Sequence, residues 1–235
     1  MTVPPIFDQV AATMYMSEVH DLTDACLFQL QQLERASVRW AELGEVVARR
    51  RVRADARVRD REAREVIHSA MMAKARVQSE IFDGVEAFLA AWARLSLIFK
   101  PGDRRSSPYR DFTVMRGNTL RRLYGLEGRH PLLVRSARDN WMHSDERLDQ
   151  AWMEARLGNR QSFVKSGRVK AALCQSVRVI DVEALTIYTR DEFGEICALS
   201  LRVLGGALKD IEARREMAYE RVAELPLIDR KRTAD

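Results

Sequence analysis

Glycine and proline, the residues that most often interrupt helices, are scarce in this chain and gather at a few places. There are 11 glycines and 6 prolines in 235 residues. Between them lie long segments in which apolar residues recur three and four positions apart. This pattern predicts few, long helices and therefore a mainly α fold, an antiparallel helical bundle.

The first two helical segments are the longest. The first, one long helix or two in tandem, runs from residue 6 to about residue 47. The second runs from about residue 62 to Phe99, just before Pro101 and Gly102. Because proline and glycine end helices, a loop must follow. The two segments predict a long helical hairpin over residues 6–99.

The second half of the chain predicts two more helices, one on each side of a β segment. Pro131 fits the first position of a helix over residues 131–156. The β-branched residues after position 176 predict a small β-hairpin or meander over residues 177–197. The helical period then predicts a C-terminal helix over 196–222. We expect one helical domain over residues 1–222 and a flexible tail over 223–235.

Composition excludes several classes of protein. No uncharged apolar run approaches the roughly 18 residues that a membrane span needs, and the N-terminus shows no signal peptide. We therefore expect a cytoplasmic protein without membrane contact. The cysteines Cys26, Cys174 and Cys197 form no CxxC motif, so we expect reduced thiols rather than disulfides or a zinc site.

Arginine dominates the positive charge, with 33 Arg against 6 Lys. Residues 49–64 contain eight arginines and three acidic residues, a local net charge of +5. Such a segment is either a solvated turn or a patch that binds phosphate, and an arginine excess also follows from a GC-rich genome. The candidate RNA-binding residues in this segment are Arg49, Arg50, Arg51 and Arg53.

The common catalytic motifs are absent, which directs attention to the four histidines. His20 and His130 have no obvious partner. His68 completes Glu65-x-x-His68, one half of a di-iron signature, but the sequence has no second copy. We therefore predict no metal site and no cofactor.

His143 lies in an unusually polar stretch of its predicted helix. Asp139 precedes it by four residues, so the carboxylate can hydrogen-bond the imidazole and favour its charged form. Arg138 precedes it by five residues, about 140° around a helix, so one straight helix cannot aim both side chains at one target. A second copy packed about a twofold axis would supply the missing group and create a cationic cleft.

The sequence Arg138-Asp139-Asn140-Trp141-Met142-His143-Ser144-Asp145-Glu146-Arg147-Leu148-Asp149 resembles the HEPN superfamily of helical nucleotide-binding and ribonuclease domains. Arginine, a polar residue and histidine occur there at the same spacing, in the third main helix of a bundle. This chain has Asp139 where asparagine is more frequent. The architecture predicted for residues 1–222 is similar as well.

The resemblance implies a homodimer that cleaves RNA without a metal. His143 would act as acid or base, Arg138 would stabilise charge on the phosphoryl oxygens, and Asp139 or Asn140 would orient them. Arg135 and Arg147 are further candidate RNA-binding residues. A role as a toxin or in phage defence, with a partner antitoxin or regulatory protein, would suit such an enzyme.

Two other interpretations of the same residues stay open. The cluster of Arg138, Asp139 and His143 could be a set of mutually bonded polar groups that fixes the register of its helix. Alternatively, the chain could be a non-catalytic helical protein that binds RNA, a nucleotide or an acidic protein partner through its arginines.

Overall fold

The computed structural model describes residues 7–55, 61–101, 109–133, 162–165, 178–190 and 196–227, without the side chains of 51–55, 162–165 and 190. The helices are α1 (Gln9–Asp55), α2 (Arg61–Phe99), α3 (Arg110–Tyr124), α4 (Leu201–Ala213) and α5 (Arg215–Val222). The strands are β1 (Ser162–Lys165), β2 (Arg178–Asp181), β3 (Thr186–Arg190) and β4 (Ile196–Ser200). The prediction of a mainly α chain with a small β element before its C-terminal helices is confirmed.

The chain forms two compact units. The first unit comprises Met1–Leu27, Leu89–Ser136 and Val203–Asp235, and the second comprises Phe28–Phe88 and Ala137–Arg202. Helices α1 and α2 supply residues to both units. The sequence predicts one domain over residues 1–222, and the contacts within the chain divide its residues into these two compact units.

The core of the first unit is built from the apolar faces of its helices. Trp92 is buried there, and the ring of Phe99 meets that of Tyr124 edge-on at 5.4 Å. Asp8 directly precedes helix α1, and its carboxylate accepts a hydrogen bond from the backbone N–H of Ala11 at 2.8 Å. This N-cap satisfies one of the donors that a helix start leaves without a partner.

In the second unit, α1 and α2 run antiparallel. Leu33 packs against Gly84, Arg39 forms an ion pair with Glu80, and Trp40 lies under the Lys74 ammonium. As the residue numbers increase along α1, the numbers of their partners on α2 decrease, which is the arrangement of a helical hairpin. Helix α1 continues to Asp55, eight residues beyond the predicted end near Val47.

The sheet of the second unit has the strand order β1-β2-β3-β4. Strand β2 pairs with β3, and β3 with β4, in antiparallel fashion, whereas β1 adds a parallel edge that the sequence did not predict. The predicted start of the C-terminal helix at Ile196 is wrong. Residues 196–200 form β4 because their backbone groups complete the ladder of β3, which outweighs the helical spacing of their apolar side chains.

The sequence predicts a flexible tail over residues 223–235, of which the structure describes 223–227, and contacts with the start of α1 hold this described part. The Gln9 side-chain amide donates hydrogen bonds to the carbonyls of Ala223 and Leu225, at 3.2 and 2.8 Å, and Leu225 is buried. The start of α1 therefore holds the chain that follows α5. In the part of the chain that the structure describes, no helix combines the length and apolar character of a membrane span.

Cys26 is expected to resist alkylation in the folded protein. Its thiol is fully buried, and burial raises its pKa to about 12, so the reactive thiolate is about 10³-fold rarer at pH 8 than for an ordinary cysteine. Peptide mass analysis after iodoacetamide treatment should find Cys26 unmodified and the partly exposed Cys197 modified. Rapid labelling of Cys26 before unfolding would contradict this packing.

Candidate nucleic-acid interface

The six candidate site residues of the predicted motif helix lie outside the described residues. They are Arg135, Arg138, Asp139, Asn140, His143 and Arg147. The structure does describe the segment that leads into them, a turn of 3-10 helix at Pro131–Leu133. Leu132 and Leu133 are buried, and Lys100 donates a hydrogen bond to the Leu133 carbonyl at 3.3 Å. The segment before the motif is therefore anchored in the first unit.

His130 strengthens this anchor. Its Nδ1 accepts a hydrogen bond from the backbone N–H of Leu132, and its Nε2 lies 3.3 Å from the Asp210 carboxylate on α4. A neutral ring that accepts at Nδ1 carries its proton on Nε2, facing that carboxylate. Burial lowers the pKa of His130, and Asp210 partly opposes the shift. The sequence shows no obvious partner for His130 because Asp210 is remote in the chain, and the fold brings the two together.

Asp210 continues the network toward the end of α3. Arg214 donates from Nε to Asp210 at 2.9 Å and from Nη1 to the carbonyls of Gly125 and Tyr124, at 2.7 and 3.3 Å. Gly125 has a φ of 61°, the left-handed conformation that commonly ends a helix. Arg214 thereby satisfies carbonyl groups that the end of α3 leaves without partners.

Several other arginines also serve the backbone. Arg116 donates to the carbonyls of Leu97 and Ile98 at the end of α2, at 3.0 and 3.3 Å. Arg221 donates to two carbonyls near the end of α3, and Arg202 donates to the Glu183 carbonyl. Part of the arginine excess is therefore structural, so the total count of arginines does not measure affinity for nucleic acid.

The arginine-rich end of the helical hairpin is different. Arg49 and Arg50 are exposed near the end of α1, and Arg51 and Arg53 lie in the same helix with side chains outside the described set. Arg49 pairs with Glu45 four residues earlier. At the start of α2, Arg61 pairs with Glu65 at 2.9 Å. Such exposed pairs contribute only about 0.3–0.5 kcal/mol, so a phosphate can replace the carboxylate at little cost.

A cleft of about 620 Å³ in the first unit was not predicted. Helices α1, α2 and α3 line it with mainly apolar side chains, including Met14, Tyr15 and Leu97. Among the described lining residues, the one carboxylate, Glu18, is held by Arg94 at 2.7 Å. These groups offer no acid–base pair for catalysis.

The chain has no match among protein-family models, curated proteins or solved structures. The resemblance to the HEPN superfamily therefore stays a prediction from the sequence, drawn from the residues Arg138 to Asp149 and from the architecture predicted for residues 1–222. Because function is carried by sites rather than by folds, the chemistry of these residues decides which activity to test.

Proposed function

We propose that this chain is a metal-independent ribonuclease that acts as a homodimer. The observation that carries the proposal is the sequence constellation of Arg138, Asp139, Asn140 and His143. It combines a fixed cation, two orienting polar groups and an imidazole that can exchange protons near neutral pH. A place in toxin or phage-defence systems, with a regulatory partner protein, would suit this activity.

The reaction is an internal attack on the RNA backbone. The ribose 2′-oxygen forms a bond to the adjacent phosphorus while the bond from phosphorus to the 5′-oxygen breaks. One His143 removes the 2′-hydroxyl proton, and the His143 of the second copy delivers a proton to the leaving 5′-oxygen. Arg138 stabilises the charge on the phosphoryl oxygens. The products are a 2′,3′-cyclic phosphate and a 5′-hydroxyl end.

One feature of the described residues supports a nucleic-acid substrate. At the exposed end of the hairpin, Arg49 pairs with Glu45 and Arg61 pairs with Glu65, each within its own helix. Such exposed pairs are weak, so a phosphate can take the place of the carboxylate.

The test is a cleavage assay with EDTA present. Wild-type protein in its native oligomeric state is incubated with RNA and with a matched strand whose riboses lack the 2′-hydroxyl. We expect cleavage of RNA alone, with cyclic phosphate ends detected by mass spectrometry, because the 2′-oxygen is the nucleophile. No cleavage of RNA, or equal cleavage of both strands, would overturn the proposal.

The second candidate function is RNA binding without cleavage, favoured by the +5 charge of residues 49–64. Replacing Arg49 and Arg50 with glutamine is then expected to weaken binding and to reduce the slope of log affinity against log salt by about 1.4 for single-stranded RNA. Fluorescence anisotropy across a salt series measures this slope.

The matched control for this double variant is Arg35→Gln with Arg76→Gln. Arg35 is exposed on α1 and Arg76 is exposed on α2, both outside the arginine-rich segment, and the change in net charge is identical. An equal loss of affinity in the control would show that total charge, rather than the hairpin end, governs binding.

A further inference from the structure

His20 is the centre of a polar cluster in the first unit. Asp24 lies one turn later on α1, with its carboxylate 3.6 Å from Nε2, and Glu212 on α4 lies 3.5 Å from Nδ1. One ring nitrogen of His20 and one carboxylate oxygen from each of Asp24 and Glu212 lie within 4.8 Å of one another. The sequence shows the i,i+4 spacing of His20 and Asp24, but only the fold adds Glu212.

The cluster is open to solvent and rich in negative charge. The side chains of His20, Asp24 and Glu212 are 26%, 61% and 42% exposed. Between Gln9 and Leu27, α1 carries three acidic residues and no lysine or arginine. Ions can therefore reach the cluster, and the local charge of α1 favours a cation.

The guanidinium of Arg215 lies within this cluster and is itself a cation. The Nη1 atom of Arg215 lies 2.8 Å from Nε2 and 3.1 Å from Nδ1 of His20, and 3.6 Å from the Glu212 carboxylate. In this same position the Arg215 guanidinium lies 5.9 Å from the ring of Tyr219. The Arg215 side chain is 37% exposed, so it can move into solvent when an ion takes its place.

We propose that His20, Asp24 and Glu212 bind a divalent transition metal ion, of which Zn²⁺ is the test case, in competition with Arg215. One imidazole nitrogen and two carboxylate oxygens are donors that zinc accepts, and water completes the shell. Tetrahedral zinc ligands stand about 3.3 Å apart, so the side chains need to close by roughly 1.5 Å. The ion joins α1 to α4. This site is independent of the proposed ribonuclease activity.

The experiment uses the full chain after exhaustive chelation. Titration with Co²⁺, which absorbs visible light when protein groups ligate it, followed by displacement with Zn²⁺, gives the stoichiometry and affinity. We expect one ion per chain and a higher melting temperature for the loaded protein, since an ion that binds only the folded state stabilises it.

Three variants give the result its specificity. His20→Ala removes a ligand and should weaken Zn²⁺ binding by about tenfold or more. Arg215→Ala removes the competing charge and should tighten binding by about tenfold or more. His68→Ala changes an exposed histidine on α2 and should leave binding unchanged.

Absence of a Co²⁺ spectrum in the wild type overturns the proposal. This holds even if Arg215→Ala binds the ion, because the Arg215 guanidinium would then exclude the metal from the wild-type cluster. Binding that survives His20→Ala also overturns it. Neither result bears on cleavage of RNA in EDTA, so the two proposals fail separately.

Discussion

Replacing His143 with alanine is expected to lower the rate of RNA cleavage by about 10²–10⁴-fold, the usual contribution of a positioned general acid or base. In a twofold site the loss affects both proton transfers, because each copy contributes one His143. Arg138→Ala should lower the rate as well, since the charge that builds on the phosphoryl oxygens loses its cation. Single-turnover rates in EDTA measure both effects.

The control for this prediction is His68→Ala, which removes an exposed histidine from α2 and should cleave like the wild type. Circular dichroism and the melting temperature show whether His143→Ala is folded. A folded His143→Ala protein that cleaves at the wild-type rate would exclude the proposed site. A variant that loses stability and also loses all RNA affinity would favour a structural role for the polar cluster.

Replacing Gly117 with alanine is expected to destabilise the protein by about 2 kcal/mol, an overpacking effect. A Cβ atom at this buried position of α3 would lie 2.7 Å from the carbonyl oxygen of Phe99 and 2.7 Å from Cδ of Pro101. Neither atom belongs to a flexible side chain. Gly117 therefore allows α3 to approach the end of α2 closely, where the neighbouring Arg116 donates to two carbonyls.

Gly206 provides the matched comparison within α4. A Cβ atom there meets nothing within 4 Å, so Gly206→Ala should stabilise the protein by about 1 kcal/mol through helix propensity alone. The two variants should shift the melting temperature in opposite directions, by about 2–4 °C for each kcal/mol. Stabilisation by Gly117→Ala would contradict the close approach of the two helices.

The fold could be predicted from sequence where the signal is local. Apolar residues at helical spacing defined the long helices, and the bounds of α2 agree with the prediction to within about two residues. The signal failed at Ile196, because pairing with β3 is a contact between strands that helical spacing cannot register. It also did not predict β1, which pairs with a strand 16 residues further along the chain.

The candidate sites also differ in whether their residues are close together or remote in sequence. The constellation of Arg138 and His143 is visible in sequence because its members are close neighbours, and it stays a prediction, as the described residues do not include it. The partners that α4 and the start of α5 supply to His20 and His130 were missed because they are remote in sequence.

The sequence by itself determined that this chain is mainly helical, with two long helices and a concentration of arginine between them. Those properties depend on residues within a few positions of one another. Only the tertiary structure decided which arginines are used internally, since Arg116, Arg214 and Arg221 reach carbonyl groups at the ends of helices remote in sequence. The guanidinium group is the same in every case, and the backbone carbonyls or carboxylates that the fold places beside it determine its role.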